Sequence, residues 1–205
     1  MNTSNIPLFP LGRALFPDGV LHLRIFEVRY LDMIKKSIEA GEPFGIVPLI
    51  EGSEVRRPEA TEVLAQAGTL ARIDEWVSPM PGLIQLRCSG TRRFHLQDCE
   101  QGRFGLWSGD IALMADDPVI AIPDPLQASA NRLGKLIADM QKSGTPAAAM
   151  PLAPPFRLDE CGWVANRWCE LLPLMPVEQQ DMLTLDDPVR RLAQVQQILN
   201  GQGLL

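Results

Sequence analysis

The residues best suited to metal or nucleophilic chemistry are two histidines, His22 and His95, and four cysteines, Cys88, Cys99, Cys161 and Cys169. Two histidines are too few for an HExxH zinc site, a three-histidine centre or a finger built on paired histidines. No two cysteines stand two to four residues apart, which removes the zinc-ribbon and thioredoxin spacings. They read as buried or half-buried free thiols. Val20-Leu21-His22-Leu23-Arg24-Ile25 alternates, and that puts His22 on the solvent face of a strand rather than in a ligand set.

Phosphate and acyl chemistry lack their motifs as well. No GxxxxGK[ST] loop and no GxGxxG turn is present. Gly105-Leu106-Trp107-Ser108-Gly109 places its serine one position too late for a nucleophile elbow. The four lysines, Lys35, Lys36, Lys135 and Lys142, do not follow a serine in SxxK spacing. The carboxylate pairs Asp116-Asp117 and Asp186-Asp187 each precede a proline, which is turn and helix-start chemistry. No catalytic, cofactor-binding or metal-ligating residue is assigned, and no cofactor is expected.

The elements that would hold any site come in two textures. Short apolar runs separated by Gly and Pro signals fill the first part: residues 6–11, 20–25, 44–50, 69–77, 83–88, 92–97 and 104–114. Six or seven short strands of this kind imply a sheet closed on itself or a compact sandwich. One helix interrupts them over residues 26–40, with Tyr30, Ile34 and Ile38 on one stripe, Gly41 as its stop and Pro43 beyond. From about Asp117 the pattern becomes helical. Leu126, Ala130, Leu133, Ile137 and Met140 recur at spacings of three and four. Cys161, Val164, Trp168 and Leu171 or Leu172 form a second stripe, with Asp159 as candidate N-cap. Pro176 opens a short helix through Leu183. Asp186-Asp187-Pro188 opens the last one, facing inward through Val189, Leu192, Val195, Gln196 and Leu199.

A chain of 205 residues can bury a core without staples. Its formal charge of −6 opposes non-specific binding to nucleic acid or to an acidic membrane. Residues 1–13 show no basic segment ahead of an apolar one, and the uncharged stretch 143–156 is broken by Pro146, Pro151, Pro154 and Pro155. The expectation is a cytoplasmic, reduced protein without a membrane span.

Pro7-Leu8-Phe9-Pro10-Leu11, then Leu15-Phe16-Pro17-Asp18-Gly19, then Leu21-His22-Leu23-Arg24-Ile25-Phe26-Glu27-Val28-Arg29-Tyr30, resembles the opening of the LON domain. This is the N-terminal domain of ATP-dependent Lon proteases, also found in cereblon and in small standalone bacterial proteins. Phe44-Gly45-Ile46-Val47, Gly68-Thr69-Leu70-Ala71-Arg72-Ile73, Pro81-Gly82 and Gly90-Thr91-Arg92-Arg93-Phe94 follow in the family's order. So do Leu171-Leu172-Pro173, Gln179-Gln180, Leu183 and the run from Asp187 to Arg191-Leu192. The quoted residues are core anchors and turns: prolines that block edge pairing, and Phe9, Phe16 and Phe26 as apolar contacts. Such a pattern identifies a fold rather than a catalyst.

The resemblance implies an α+β fold: a PUA-like closed or partly open β-barrel with one inserted helix, followed by a C-terminal helical bundle. The expected division is a β-rich part over residues 1–116 and a helical part over 117–205. The resemblance also implies a non-catalytic recognition module that takes polypeptide substrates or a protein partner. The ATPase and Ser-Lys peptidase modules of the proteases have no counterpart in these residues. An RNA-binding PUA-like protein is the alternative; Arg92-Arg93-Phe94 and Arg56-Arg57 are the only clusters that could serve it. A small-molecule enzyme using a barrel pocket comes last. A homo-oligomer is compatible with all three.

One surface stands out as a partner site. Trp163 lies about 140° around its helix from Trp168, with Arg167 one turn further on. Met150, Leu152 and Phe156 sit just upstream in a proline-bounded loop. These five residues either pack on the β-rich part or form an exposed apolar patch for polypeptide, with Trp163 as anchor.

Overall fold

The computed structural model describes residues 4–54, 61–146 and 150–205. Among these residues are seven strands and five helices. The strands are β1 (Ser4–Leu11), β2 (Val20–Ile25), β3 (Phe44–Glu51), β4 (Val63–Leu64), β5 (Ala67–Met80), β6 (Leu83–Gln101) and β7 (Trp107–Leu113). The helices are α1 (Val28–Ala40), α2 (Gln127–Lys142), α3 (Cys161–Leu171), α4 (Pro176–Thr184) and α5 (Pro188–Gly201). No helix among the described residues is long and apolar enough to cross a membrane.

The chain divides into two compact units. The first is Met1–Ala115 with Met175–Thr184, and the second is Asp116–Leu174 with Leu185–Leu205. The sequence reading put α4 with the other helices. It belongs instead to the β-rich unit, because its polar side chains complete that unit's backbone. Gln179 Oε1 accepts the Ala14 N–H at 2.6 Å and Gln180 Oε1 accepts the Gln66 N–H at 2.7 Å. Arg93, buried in β6, donates to the Leu183 carbonyl at 2.6 Å.

Pairings in the first unit run in a closed circuit: β1 to β7, β7 to β6, β6 to β5, β5 to β3, and β3 back to β1 in parallel. Two strands make this closure by exchanging neighbours midway. Residues 4–8 of β1 pair with β7 and residues 8–11 pair with β3. Leu8 alone has a partner on both sides, Trp107 and Gly45. Pro7 and Pro10 lack an amide donor, and each falls where β1 has a single neighbour. Each therefore stands where one edge of β1 has no partner among the described residues, the edge setting that the sequence reading gave them. β6 makes the second exchange. Its residues from Ile84 to Ser89 pair with β2, and those from Phe94 to Gln101 pair with β7.

The sequence broke β6 into two strands at Ser89-Gly90. It is one strand of 19 residues, because Gly90 keeps its pairing with Ala71 of β5 while giving up its side-chain space. A Cβ at Gly90 would stand 2.2 Å from the Phe16 carbonyl oxygen. The turn at residues 16–19 bonds there, with Asp18 N–H to Gly90 O and Gly90 N–H to Gly19 O, both at 2.9 Å.

Helix α1 lies against the sheet through Tyr30, Leu31, Met33 and Ile34, and these join Leu21, Leu23, Ile25, Ile84 and Leu86 in one core. Gly41 stops the helix in the left-handed conformation at φ 67°, as the sequence predicts, and its N–H bonds the Ser37 carbonyl. A second cluster, including Leu8, Val47, Phe94 and Ile111, also belongs to the sheet.

In the second unit, α2, α3 and α5 pack on one another. Every residue of α3 from Cys161 to Cys169 is buried. Its N-cap is Glu160, without a side-chain capping bond, rather than Asp159. Asp187 does cap α5, accepting from the N–H groups of Val189 at 2.9 Å and Arg190 at 3.2 Å. In the Asp116-Asp117 pair, Asp117 accepts from Arg191 with both oxygens, at 2.6 and 3.1 Å. The Arg191 guanidinium is fully buried and also donates to Asn166 Oδ1 and to the Leu185 carbonyl. Gly162 leaves room for this pair, since a Cβ there would lie 2.9 Å from an Asp117 oxygen.

Two outcomes are expected in urea unfolding. Gly90→Ala forces the Phe16 carbonyl aside and lowers stability by about 1–3 kcal/mol, the cost of overpacking. Asp117→Ala leaves a buried guanidinium without its carboxylate and lowers stability by about 3–5 kcal/mol. Unchanged midpoints would show that neither contact constrains the fold.

Candidate functional site

Helix α1 advances about 100° per residue, so its two flanks carry different side chains. Along one flank Arg29, Asp32, Lys36 and Ser37 line a cleft of about 550 Å³, together with Asn5, Glu42, Phe104 and Ser108. Met33, Ala40, Pro43 and Leu106 add apolar surface, both charge signs are present, and the buried cation Arg29 is already committed. The Arg29 side chain is buried, with Nε 3.1 Å from Glu27 Oε2 and Nη1 2.6 Å from the Gly105 carbonyl. Its guanidinium carbon sits 4.4 Å from the centre of the Tyr30 ring, and Nη2 lies 3.9 Å from Glu62 Oε1. Glu62 in turn accepts the Trp107 indole N–H at 2.6 Å. This network pins the turn at Arg103–Gly105 to α1, with Phe104 held at φ 64° and its ring exposed.

Along the opposite flank Leu31, Lys35, Ile38 and Glu39 face β5 and β6 across a groove of about 450 Å³. Trp76, Ser78, Leu83 and Ile84 complete it with the Pro81-Gly82 turn. The floor is apolar and continuous with the core beneath α1, because Leu31 and Ile84 belong to both. Lys35 and Glu39, one turn apart, give the rim one charge of each sign. The wall is Trp76, whose ring is 50% exposed.

A bulge aims Trp76 into this groove. Strict alternation would put Ile73 and Trp76 on opposite faces of β5. The register slips between Ile73 and Glu75, so that Ile73 opposes Cys88 and Trp76 opposes Leu86. Cys88 and Leu86 share the buried face of β6, and therefore so do Ile73 and Trp76. Sequence reasoning reaches residues 69–77 as one candidate strand but does not single out Trp76, because the face a residue takes beyond a bulge is not readable from the run itself. Two successive carboxylates within the run, Asp74 and Glu75, are the local sign of the slip.

The patch expected around Trp163 is not a surface. Trp163 is 3% exposed, Arg167 0% and Leu152 1%; Met150 and Phe156 are half-buried. Phe156 packs edge-on against the Trp163 ring at 6.3 Å, and the Arg167 guanidinium lies 5.9 Å from the same ring. Arg167 also pairs with Glu170 at 3.2 Å. The second face of α3 carries no net charge to hold it in water, and the helix is buried all round.

Other candidate residues resolve equally plainly. His22 and His95 are both exposed. Cys88 and Cys169 are buried, and burial pushes their thiols up to about 12. Cys99 and Cys161 are also raised, again chiefly by burial. All four remain thiols at neutral pH, and a thiol is a poor nucleophile. In the basic cluster, Arg93 and Phe94 are buried and Arg92 donates to the Met114 carbonyl at 3.0 Å. Arg56-Arg57 lies outside the described residues. No group of three His, Cys, Asp or Glu side chains among the described residues is placed to hold a metal ion.

Comparison with known proteins adds the family. The sequence profile of the ATP-dependent protease La (LON) substrate-binding domain matches residues 5–201. A Lon N-terminal domain protein from Xanthomonas campestris, solved as a crystal structure, superposes with a TM-score of 0.71 at 29% identity, covering 94% of this chain and 96% of that one. The N-terminal domain of the Mycobacterium avium complex Lon protease superposes with a TM-score of 0.58 at 16% identity, over the same shares of the two chains. A search of curated proteins gave no match.

The two tryptophans should separate in unfolding experiments. Trp163→Ala is expected to lose about 3–5 kcal/mol, as for a fully buried ring. Trp76→Ala should lose under ~2 kcal/mol, since half its surface already meets water. The reverse order would return Trp163 to the surface and put Trp76 in the core.

Proposed function

The chain belongs to the ATP-dependent protease La (LON) substrate-binding domain family, and from that membership we propose that it is a non-catalytic module that recognises polypeptide through the groove beside Trp76. The observation that carries this reading is an aromatic ring left half in water above an apolar floor. A ring in that position costs little to desolvate and gains contact area, which is why Trp anchors so many binding surfaces. The floor accepts an aliphatic or aromatic side chain of about the size the cavity allows. The mixed rim of Lys35 and Glu39 favours no strongly charged partner. The closed circuit of strands supports reading the first unit as the PUA-like barrel of this family, and the second unit as its helical part.

The residues themselves supply no competing chemistry. The 205 residues contain no phosphate loop of the ATPase type and no SxxK pair. An RNA-binding role draws little support from the basic residues of β5 and β6. Arg72 and Arg87 both spend their guanidinium groups on Asp74, at 3.0 Å each, which also accepts the Ser89 hydroxyl.

Intrinsic fluorescence tests the reading. The probe is reduced, carboxymethylated ribonuclease A, an unfolded chain without tryptophan. Titration should shift the emission of the intact protein to the blue as Trp76 is covered. Trp76→Ala should lower the affinity at least tenfold, about 1.4 kcal/mol or more. Equal binding by the two proteins would remove the groove from the site, and salt-sensitive binding of RNA instead would replace the reading.

A further inference from the structure

The groove has a second component, formed by backbone. Strand β5 bonds to β3 only through Thr69, Leu70 and Ala71. Beyond that point its sole partner among the described residues is β6. Residues 75–80 are all exposed, so nothing described covers the other edge. That edge presents a short row of N–H and C=O groups, the template for one more strand.

Devices that normally close such an edge bracket this one instead of crossing it. On one side stands the register slip between Ile73 and Glu75, with Asp74 drawn back onto the sheet by Arg72 and Arg87. On the other stand Pro79 and the second slip, between Val77 and Met80. What stays open is residues 75–78, and Trp76 sits inside that window with its ring over the groove. Strand β2 offers a comparable edge, since it pairs only with β6, but the side chains it exposes are His22 and Arg24. Among the described residues, an open backbone and an apolar receptacle coincide at β5 and not at β2.

We infer that polypeptide binds as an added strand on the β5 edge over residues 75–78, with one apolar side chain lowered into the groove beside Trp76. The inference rests on the polypeptide-binding reading above and specifies its mode. Backbone bonding explains how an unfolded chain of any sequence could be held, and the groove adds a preference for one apolar residue. A window of four residues is long enough for a clasp and too short to template a growing sheet.

Backbone direction provides the test. In a strand, successive residues point their N–H groups to opposite edges, so an added strand donates to β5 through every second residue. The probe is a dye-labelled peptide of seven residues alternating threonine and leucine, with two terminal lysines for solubility. One version carries N-methyl groups on its leucines and another on its threonines. The expected result has three parts: the parent binds, Trp76→Ala weakens it at least tenfold, and one methylated version loses at least tenfold while the other stays within about twofold. If the parent depends on Trp76 but the two methylated versions behave alike, strand addition is overturned and the groove reading stands. If the parent does not bind, or binds Trp76→Ala equally well, the groove reading fails and the inference falls with it.

Discussion

Strand β6 must leave one neighbour and take another at Ser89-Gly90, and most of the first unit follows from that exchange. The passage needs a residue without a side chain, because the Phe16 carbonyl occupies the place of a Cβ. The second half of β6 is what closes the circuit through β7. Its first half, with β2 and the outer part of β5, is surplus to closure and needs its own cover on one face. Helix α1 provides that cover, but its 13 residues span only about 20 Å. Trp76 and Leu83 lie at the margin of what it reaches. The groove is therefore what remains when a helix of fixed length is laid against a longer ribbon.

Buried arginines finish what the strands and helices leave open. Arg29 bonds the Gly105 carbonyl, Arg93 the Leu183 carbonyl and Arg191 the Leu185 carbonyl. Each acceptor lies at a turn or a helix end, where the backbone has no regular partner. A guanidinium suits this role because it carries donors in several directions and keeps its charge when buried. Carboxylates at Glu27 and Asp117 balance two of these cations. Tyr30, enclosed beside Arg29, has its hydroxyl driven far above the ordinary range by burial, so it stays neutral. The Glu27 and Arg29 of the opening sequence run thus act as fasteners between α1 and the turn before β7.

Several local signals hold, although Asp159 does not cap α3 and Ser89-Gly90 does not end a strand. Alternation delimits β2 to the residue, Gly41 ends α1, and Asp187 caps α5, because each depends on chemistry within one turn or strand. What escaped depends on residues far apart. Parity along β5 changes at a bulge that only its pairing with β6 reveals, and Trp76 was lost with it. A helical wheel distinguishes the two faces of α3 but cannot say that both are covered, so Trp163 looked available. Asp117 and Arg191 are 74 positions apart, and nothing local to Asp117 separates an ion-pair partner from a turn residue. The resemblance in the opening run carries the family through buried anchors such as Leu8, Phe9, Phe16 and Tyr30; Phe26, expected among the core contacts, is exposed instead, at the entry to α1.

Helix α4 has a consequence for the order of events during synthesis. The acceptor for the Ala14 amide is Gln179, 165 positions later. Strands β1 to β7 are all translated before it, and so is the whole stretch Asp116–Leu174 of the other unit. Domains usually mature on the ribosome in the order they emerge. This chain cannot do so, because its first unit is finished by a segment that arrives after most of its second. For the interval between them the nascent strands carry amides at Ala14 and Gln66 that still await their partners. The first unit is therefore complete only once Met175–Thr184 has been synthesised.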